Sequence, residues 1–148
     1  MKQIKKLIGS GFYTGYFPFA SGTIGSLLAL LIYLIPGFEK AEIIIPIIII
    51  SFVIGVFLGN YFEIEYGKDP KQFTLDEFVG TWISLLFLPK SIIIITVTFI
   101  IWRILDITKP YPANISEKLN GGLGIMLDDV ISGMYSLLIM HIFNFLFF

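Results

Sequence analysis

The chain contains no cysteine, only one histidine (His141) and few charged residues. Without cysteine, disulfides, thiolate metal sites and cysteine nucleophiles are excluded. A single histidine in the last apolar segment also argues against enzymes that depend on histidines at the membrane interface. Charged residues make up 14% of the chain, against about 25% in ordinary soluble domains. A net charge of −1 gives no electrostatic reason to expect a nucleic-acid partner.

Hydrophobic residues make up 56% of the chain, and the mean hydropathy is +0.88. A length of 148 residues fits one domain, and this composition is typical of a membrane-embedded protein. Because open strands leave backbone groups unpaired in lipid, the apolar segments are predicted to be helices. We therefore expect residues 1–148 to form an all-α, single-domain helical bundle, a polytopic membrane protein with short or re-entrant segments.

The clearest predicted membrane span is Ile43–Gly59, seventeen residues without a charge. The segments Phe78–Leu88 and Ser91–Trp102 are shorter. We expect these two to be tilted, re-entrant or packed inside the bundle.

Two adjacent carboxylates, Asp128 and Asp129, follow the glycine-rich stretch that begins at Asn120. Carboxylates at the edge of an apolar segment need a cation, a polar network or a functional role. Asp128 is predicted to open the last helix. Neighbouring residues on a helix point about 100° apart, so both could meet one metal only near a helix end. Oxygen ligands of this type favour Mg²⁺ or Mn²⁺.

A second pair of carboxylates, Asp76 and Glu77, follows Thr74. The spacing of Thr74 and Glu77 is that of a capping box, which gives Glu77 a purely structural alternative. Asp76 has no such alternative and is a stronger candidate for a functional group.

Arg103, Asp106 and Lys109 are spaced to share one face if this stretch is helical. Two cations beside a carboxylate could hold a phosphate next to a metal, although a surface ladder of ion pairs has the same spacing.

The segment Ser21–Ser26 could present backbone N–H groups at a helix start, where anions bind. Ser21 or Thr23 is expected to cap that helix. Close helix packing is an equally good explanation of the small residues there.

The charged residues gather on one predicted side of the membrane. If each apolar segment crosses once and the N-terminus is cytoplasmic, eight of ten basic residues lie inside, as the positive-inside tendency requires. Nine of eleven acidic residues lie there too, and that tendency does not explain them. One polar site at the cytoplasmic face would explain why the acidic residues gather there. Carboxylates for a metal together with two cations suit phosphoryl chemistry on a lipid head group.

Four stretches resemble the phosphatidylglycerophosphatase A family. They are Ala20–Ala29 (ASGTIGSLLA), Leu75–Gly80 (LDEFVG), Arg103–Pro112 (RILDITKPYP) and Gly121–Tyr135 (GGLGIMLDDVISGMY). They occur in the family's order, and the last is long and specific. Ser21, Leu75 and Ser132 depart from common family residues, but no charged motif residue is changed.

The resemblance implies a Mg²⁺-dependent enzyme of bacterial phospholipid synthesis. Together with the charge distribution, it predicts a location in the bacterial cytoplasmic membrane, with the active site facing the cytoplasm. The enzyme would convert phosphatidylglycerophosphate, a phospholipid in the membrane, to phosphatidylglycerol and phosphate. By matching position, the candidate metal ligands or catalytic acids are Asp76, Glu77, Asp106, Asp128 and Asp129. The candidate phosphate-binding groups by matching position are Arg103 and Lys109. The argument from the helix start adds the backbone of Ser21, Gly22 and Thr23. The alternatives are a small transporter or channel subunit, whose charges would be spread across the membrane depth, and a non-catalytic membrane scaffold.

Overall fold

The computed structural model describes residues 1–148 and is entirely helical, which confirms the predicted fold class. The seven helices are α1 (Lys2–Gly9), α2 (Ser21–Tyr33), α3 (Ala41–Tyr66), α4 (Leu75–Ser84), α5 (Ile92–Thr108), α6 (Ala113–Ser116) and α7 (Gly121–Phe147), with a 3₁₀ turn at Thr14–Tyr16. The chain has no strand.

The short helix α4 lies at the centre of the bundle. All ten of its residues are buried, because α2, α3, α5 and α7 pack around it. Its apolar side chains Phe78 and Trp82 join the main hydrophobic core. A helix enclosed in this way need not be long enough to cross a bilayer, which explains why its apolar run is short. It ends at Ser84, one turn before the predicted end at Leu88.

Helices α3 and α7 are the two that are long and apolar enough to cross a membrane. They contain 26 and 27 residues, and their most apolar windows have mean hydropathies of 2.7 and 1.7. Only 11% and 22% of those windows are buried within the protein. Apolar side chains such as Ile50, Phe57 and Leu138 therefore point outward, as lipid-facing residues do. Helix α3 continues through Asn60–Tyr66, beyond the end of the predicted membrane span at Gly59.

Helices α3 and α7 approach each other closely at glycines. A Cβ atom on Gly122 would lie 2.0 Å from the carbonyl oxygen of Val56, so no larger residue fits without displacing the helices. Asn60 and Glu63 of α3 accept the N–H groups of Gly122 and Gly121. These bonds satisfy donors that the start of a helix leaves free. Helix α7 therefore begins at Gly121, and the prediction that Asp128 starts it was wrong.

The connections between helices gather at two ends of the bundle. At one end, Lys6 forms a salt bridge with Glu65 at 3.0 Å, and Lys68 donates to the carbonyl of Lys118. At the other end, Lys90 pairs with Glu39 at 2.8 Å. The N-terminus and the segments 67–74 and 109–120 belong to the first end, which we call the charged end.

Candidate active site

Three carboxylates from three helices meet beneath the charged end. Glu77 of α4, Asp106 of α5 and Asp129 of α7 place one oxygen each within 4.8 Å of one another. Their residues are 9%, 7% and 3% exposed, respectively. Three buried carboxylates this close together repel one another, and each is costly to bury without a cation.

The Oδ2 atom of Asp129 is buried and has no hydrogen-bond partner. An orphaned carboxylate oxygen is rare in a folded protein and needs a physical reason. A small divalent cation held by oxygen ligands would satisfy it and reduce the repulsion within the group. The donor set is therefore suited to Mg²⁺.

Arg103 connects this carboxylate group to α2. Its Nη1 donates to Asp106 at 2.7 Å and to Ser26 at 3.2 Å, and forms a salt bridge with Glu77. Its Nη2 donates to Thr23 at 3.3 Å. One guanidinium thus fixes the positions of two carboxylates that come from different helices. Ser26 also donates to Glu77 at 2.8 Å.

Lys109 ends α5 in a left-handed conformation, with φ of 45°. It is therefore not on a helical face with Arg103, contrary to the predicted i, i+3, i+6 arrangement. Its ammonium pairs with Asp128 at 2.6 Å and with Glu117 at 3.2 Å. Burial alone would lower the pKa of Lys109, but the bond to Asp128 and nearby carboxylates raise it above its usual range.

Asp128 and Asp129 have different partners because both lie within α7 rather than at its end. A step of about 100° along the helix turns Asp128 toward Lys109 and leaves Asp129 with Glu77 and Asp106. The two therefore do not act as a pair at a helix mouth.

The expected capping box at the start of α4 is absent. Thr74 occupies the N-cap position but makes no capping bond, and the Glu77 side chain is bound to Ser26 and Arg103 instead. The N–H of Glu77 donates to Asp76. Burial and the neighbouring carboxylates raise the pKa of Glu77 to about 7, although Arg103 opposes this shift. Burial, together with the charges of Glu77 and Asp128, also raises the pKa of Asp76.

A cavity of about 170 Å³ opens among these groups, and we call it the acidic cavity. Twelve residues line it: Ser21, Gly22, Asp69, Pro70, Lys71, Phe73, Asp76, Glu77, Asp106, Lys109, Asp128 and Asp129. All five predicted acids are thus brought together. Arg103 and Thr23 are not part of the wall and lie behind it. Asp69 and Lys71 are additional lining residues that sequence reasoning did not select.

The start of α2 forms one side of the acidic cavity. Ala20, not Ser21 or Thr23, is the N-cap residue, and Ser21 instead donates to the carbonyl of Lys71 at 2.9 Å. Gly22 packs closely against Glu77: a Cβ atom there would lie 2.1 Å from Oε1 of Glu77, so a larger residue would displace this carboxylate. The first N–H groups of a helix have no partner within it, so this edge of the cavity can donate to an anion.

A helical membrane protein with a buried polyacidic cavity at one end of its bundle fits a class of enzymes that act on head groups of membrane lipids. The chain belongs to the phosphatidylglycerophosphatase A family, whose model matches residues 7–144, and it is a phosphatase. Every residue of the acidic cavity lies inside the matched range.

Three relatives cover most of the chain. A putative phosphatidylinositol-3-phosphatase of Bacteroides thetaiotaomicron is 35% identical over 92% of this chain and 91% of its own. Phosphatidylglycerophosphatase A of Escherichia coli is 34% identical over 88% of this chain and 77% of its own. That of Haemophilus influenzae is 32% identical over 90% and 84%, respectively. No solved structure matches the chain.

Proposed function

We propose that this chain removes the terminal phosphate of phosphatidylglycerophosphate, giving phosphatidylglycerol and inorganic phosphate in bacterial phospholipid synthesis. The observation that carries the proposal is the convergence of five buried acids on one cavity in a member of this family. Two relatives are named for this reaction.

In this proposal Glu77, Asp106 and Asp129 hold Mg²⁺, since their oxygens form the compact group described above. When bound there, the cation offsets the negative charge that develops on the phosphate oxygens during transfer. Arg103 keeps Glu77 and Asp106 in position from behind the cavity wall.

The remaining roles follow from which groups are already paired. Asp128 is bound to Lys109, whereas the only hydrogen bond to Asp76 comes from the Glu77 N–H. Asp76 is therefore our candidate for the base that takes a proton from the attacking water. The N–H groups of Ser21 and Gly22 receive the phosphate oxygens together with Lys109, since all three residues line the cavity.

We place the charged end at the cytoplasmic face of the inner membrane. Eight of the ten basic residues belong to that side, in agreement with the positive-inside tendency. An ion path would need polar groups through the full depth of the bundle. The buried acids of this chain instead gather beneath one end, so a channel or transporter function is not favoured.

A second lipid of the same chemical class must be tested beside the first. The Bacteroides relative is named for phosphatidylinositol 3-phosphate, which is also a phosphate monoester on a polyol head group. Purified protein should be assayed with both lipids in mixed micelles, reading free phosphate. Preference for the inositol lipid would overturn the proposed substrate but not the assignment of phosphatase activity.

We expect phosphate release to require a divalent cation. Chelation should lower the rate at least about 10²-fold, the size of effect expected when a major electrostatic contribution is lost, and added Mg²⁺ should restore it. Mg²⁺ should also raise the melting temperature of the wild-type protein, because it binds the folded state only. Undiminished turnover in chelator, or a melting temperature indifferent to Mg²⁺, would count against the assigned ligands.

A further inference from the structure

A second cavity, of about 340 Å³, adjoins the acidic cavity. Its lining residues are Gly15, Tyr16, Phe17, Pro18, Phe19, Ala20, Ser21, Lys71 and Gln72. Ser21 and Lys71 line both cavities. A molecule whose reacting end lies in the acidic cavity can therefore extend into the second one, which we call the outer cavity.

The wall of the outer cavity is held in place by its own contacts. Thr14 and Thr74 share a hydrogen bond of 3.0 Å between their hydroxyls, and Tyr16 and Tyr66 share one of 2.9 Å. At Gly15 the backbone lies so close to Gln72 that a Cβ atom would be 2.0 Å from its carbonyl oxygen. The cavity is thus preformed, as ligand sites usually are.

Lys71 differs from the other basic residues of the site. Arg103 and Lys109 are both engaged by carboxylates, whereas Lys71 is exposed and forms no salt bridge. It is the cation left to attract an incoming anion toward a strongly acidic interior.

The outer cavity also has exposed aromatic side chains along its edge. Phe17 and Phe19, which line it, are 47% and 72% exposed and pack edge to face with their ring centroids 5.6 Å apart. Tyr16, which also lines the cavity, is 39% exposed, and exposed tyrosines favour the level of the lipid head groups. The part of a substrate nearest its acyl chains should therefore lie here.

We propose that the outer cavity receives the part of the head group that stays with the lipid product, and that Lys71 pairs with its phosphodiester. This rests on the proposed function. Phosphatidylglycerophosphate carries the reacting monoester at its outer end, then a glycerol, then a phosphodiester next to the acyl chains. With the monoester in the acidic cavity, the glycerol and phosphodiester extend past Ser21 to Lys71.

The test uses the two product fragments separately. In the Lys71→Gln variant, the KM for phosphatidylglycerophosphate should rise about twofold to fivefold, as for loss of one exposed ion pair, with kcat unchanged. The inhibition constant of glycerophosphoglycerol, the deacylated product, should rise equally, while that of inorganic phosphate stays the same. Lys71→Arg should restore wild-type values. Lys40→Gln, an exposed lysine at the opposite end, is the matched control and should change nothing.

Unchanged constants for glycerophosphoglycerol, or an equal weakening for inorganic phosphate, would overturn the assignment. Binding of both fragments to purified protein should also be followed directly by ligand-observed NMR. If the protein binds glycerophosphoglycerol through Lys71 but does not hydrolyse the lipid, the role of the outer cavity is supported and the proposed reaction is overturned.

Discussion

Replacing Asp129 with asparagine should abolish phosphate release while leaving the protein as stable as before, or more stable. Asp129 places a buried oxygen without a partner beside Glu77 and Asp106. Asparagine keeps the shape but removes the charge, so the repulsion decreases and a cation loses one of its ligands. We expect kcat to fall about 10³-fold. Without divalent cations, the melting temperature should rise by about 2–4 °C for each kcal/mol of repulsion removed.

Measuring activity and stability together distinguishes a functional acid from a structural one. A structural aspartate, once changed, would lower stability and activity together. The Glu42→Gln variant alters an exposed acid at the other end of the bundle and should leave both quantities unchanged. The stabilising effect of Mg²⁺ should be smaller in Asp129→Asn than in the wild type. Full activity in Asp129→Asn would remove Asp129 from the site.

The convergence of the acids could be predicted from the sequence because charged residues are rare in this chain. In a strongly apolar chain, each buried carboxylate needs a cation or polar partners. Asp76, Asp106 and Asp129, which are far apart in the sequence, were therefore expected to share one site. The structure brings all three to one cavity. The helical class followed from the same composition, since lipid leaves no other partner for backbone groups.

The sequence could not predict which partner each acid binds, because this depends on helix boundaries and on packing. The stretch beginning at Gly121 reads as a turn, yet it is helical because its glycines let α7 lie against α3. Because α7 begins at Gly121 and not at Asp128, both Asp128 and Asp129 lie inside the helix and point to different partners. Glu77 fits a capping box by spacing, but its side chain binds Arg103, 26 positions away, and the N–H of Thr74 donates to the carbonyl of Gly9 instead. Lys71 had no local signal at all, since only the folded chain places it between two cavities.

Replacing Arg103 with glutamine should destabilise the protein as well as inactivate it. Its guanidinium is the shared partner of Glu77 and Asp106, with side-chain exposures of 14%, 12% and 9% for the three residues. Removing one member of a buried ion pair leaves a buried charge uncompensated, at a cost of about 3–5 kcal/mol. We expect a loss of stability of this size in denaturant unfolding, together with loss of activity.

The double variant Arg103→Gln, Glu77→Gln separates positioning of carboxylates from binding of phosphate. Removing the Glu77 charge as well should recover a large part of the lost stability, because the uncompensated carboxylate is gone, but no activity should return. If Arg103 mainly bound phosphate, Arg103→Gln would retain wild-type stability and show a raised KM, and the double variant would be no more stable than the single one. The sign of this coupling therefore decides whether the guanidinium supports the cavity wall or contacts the substrate.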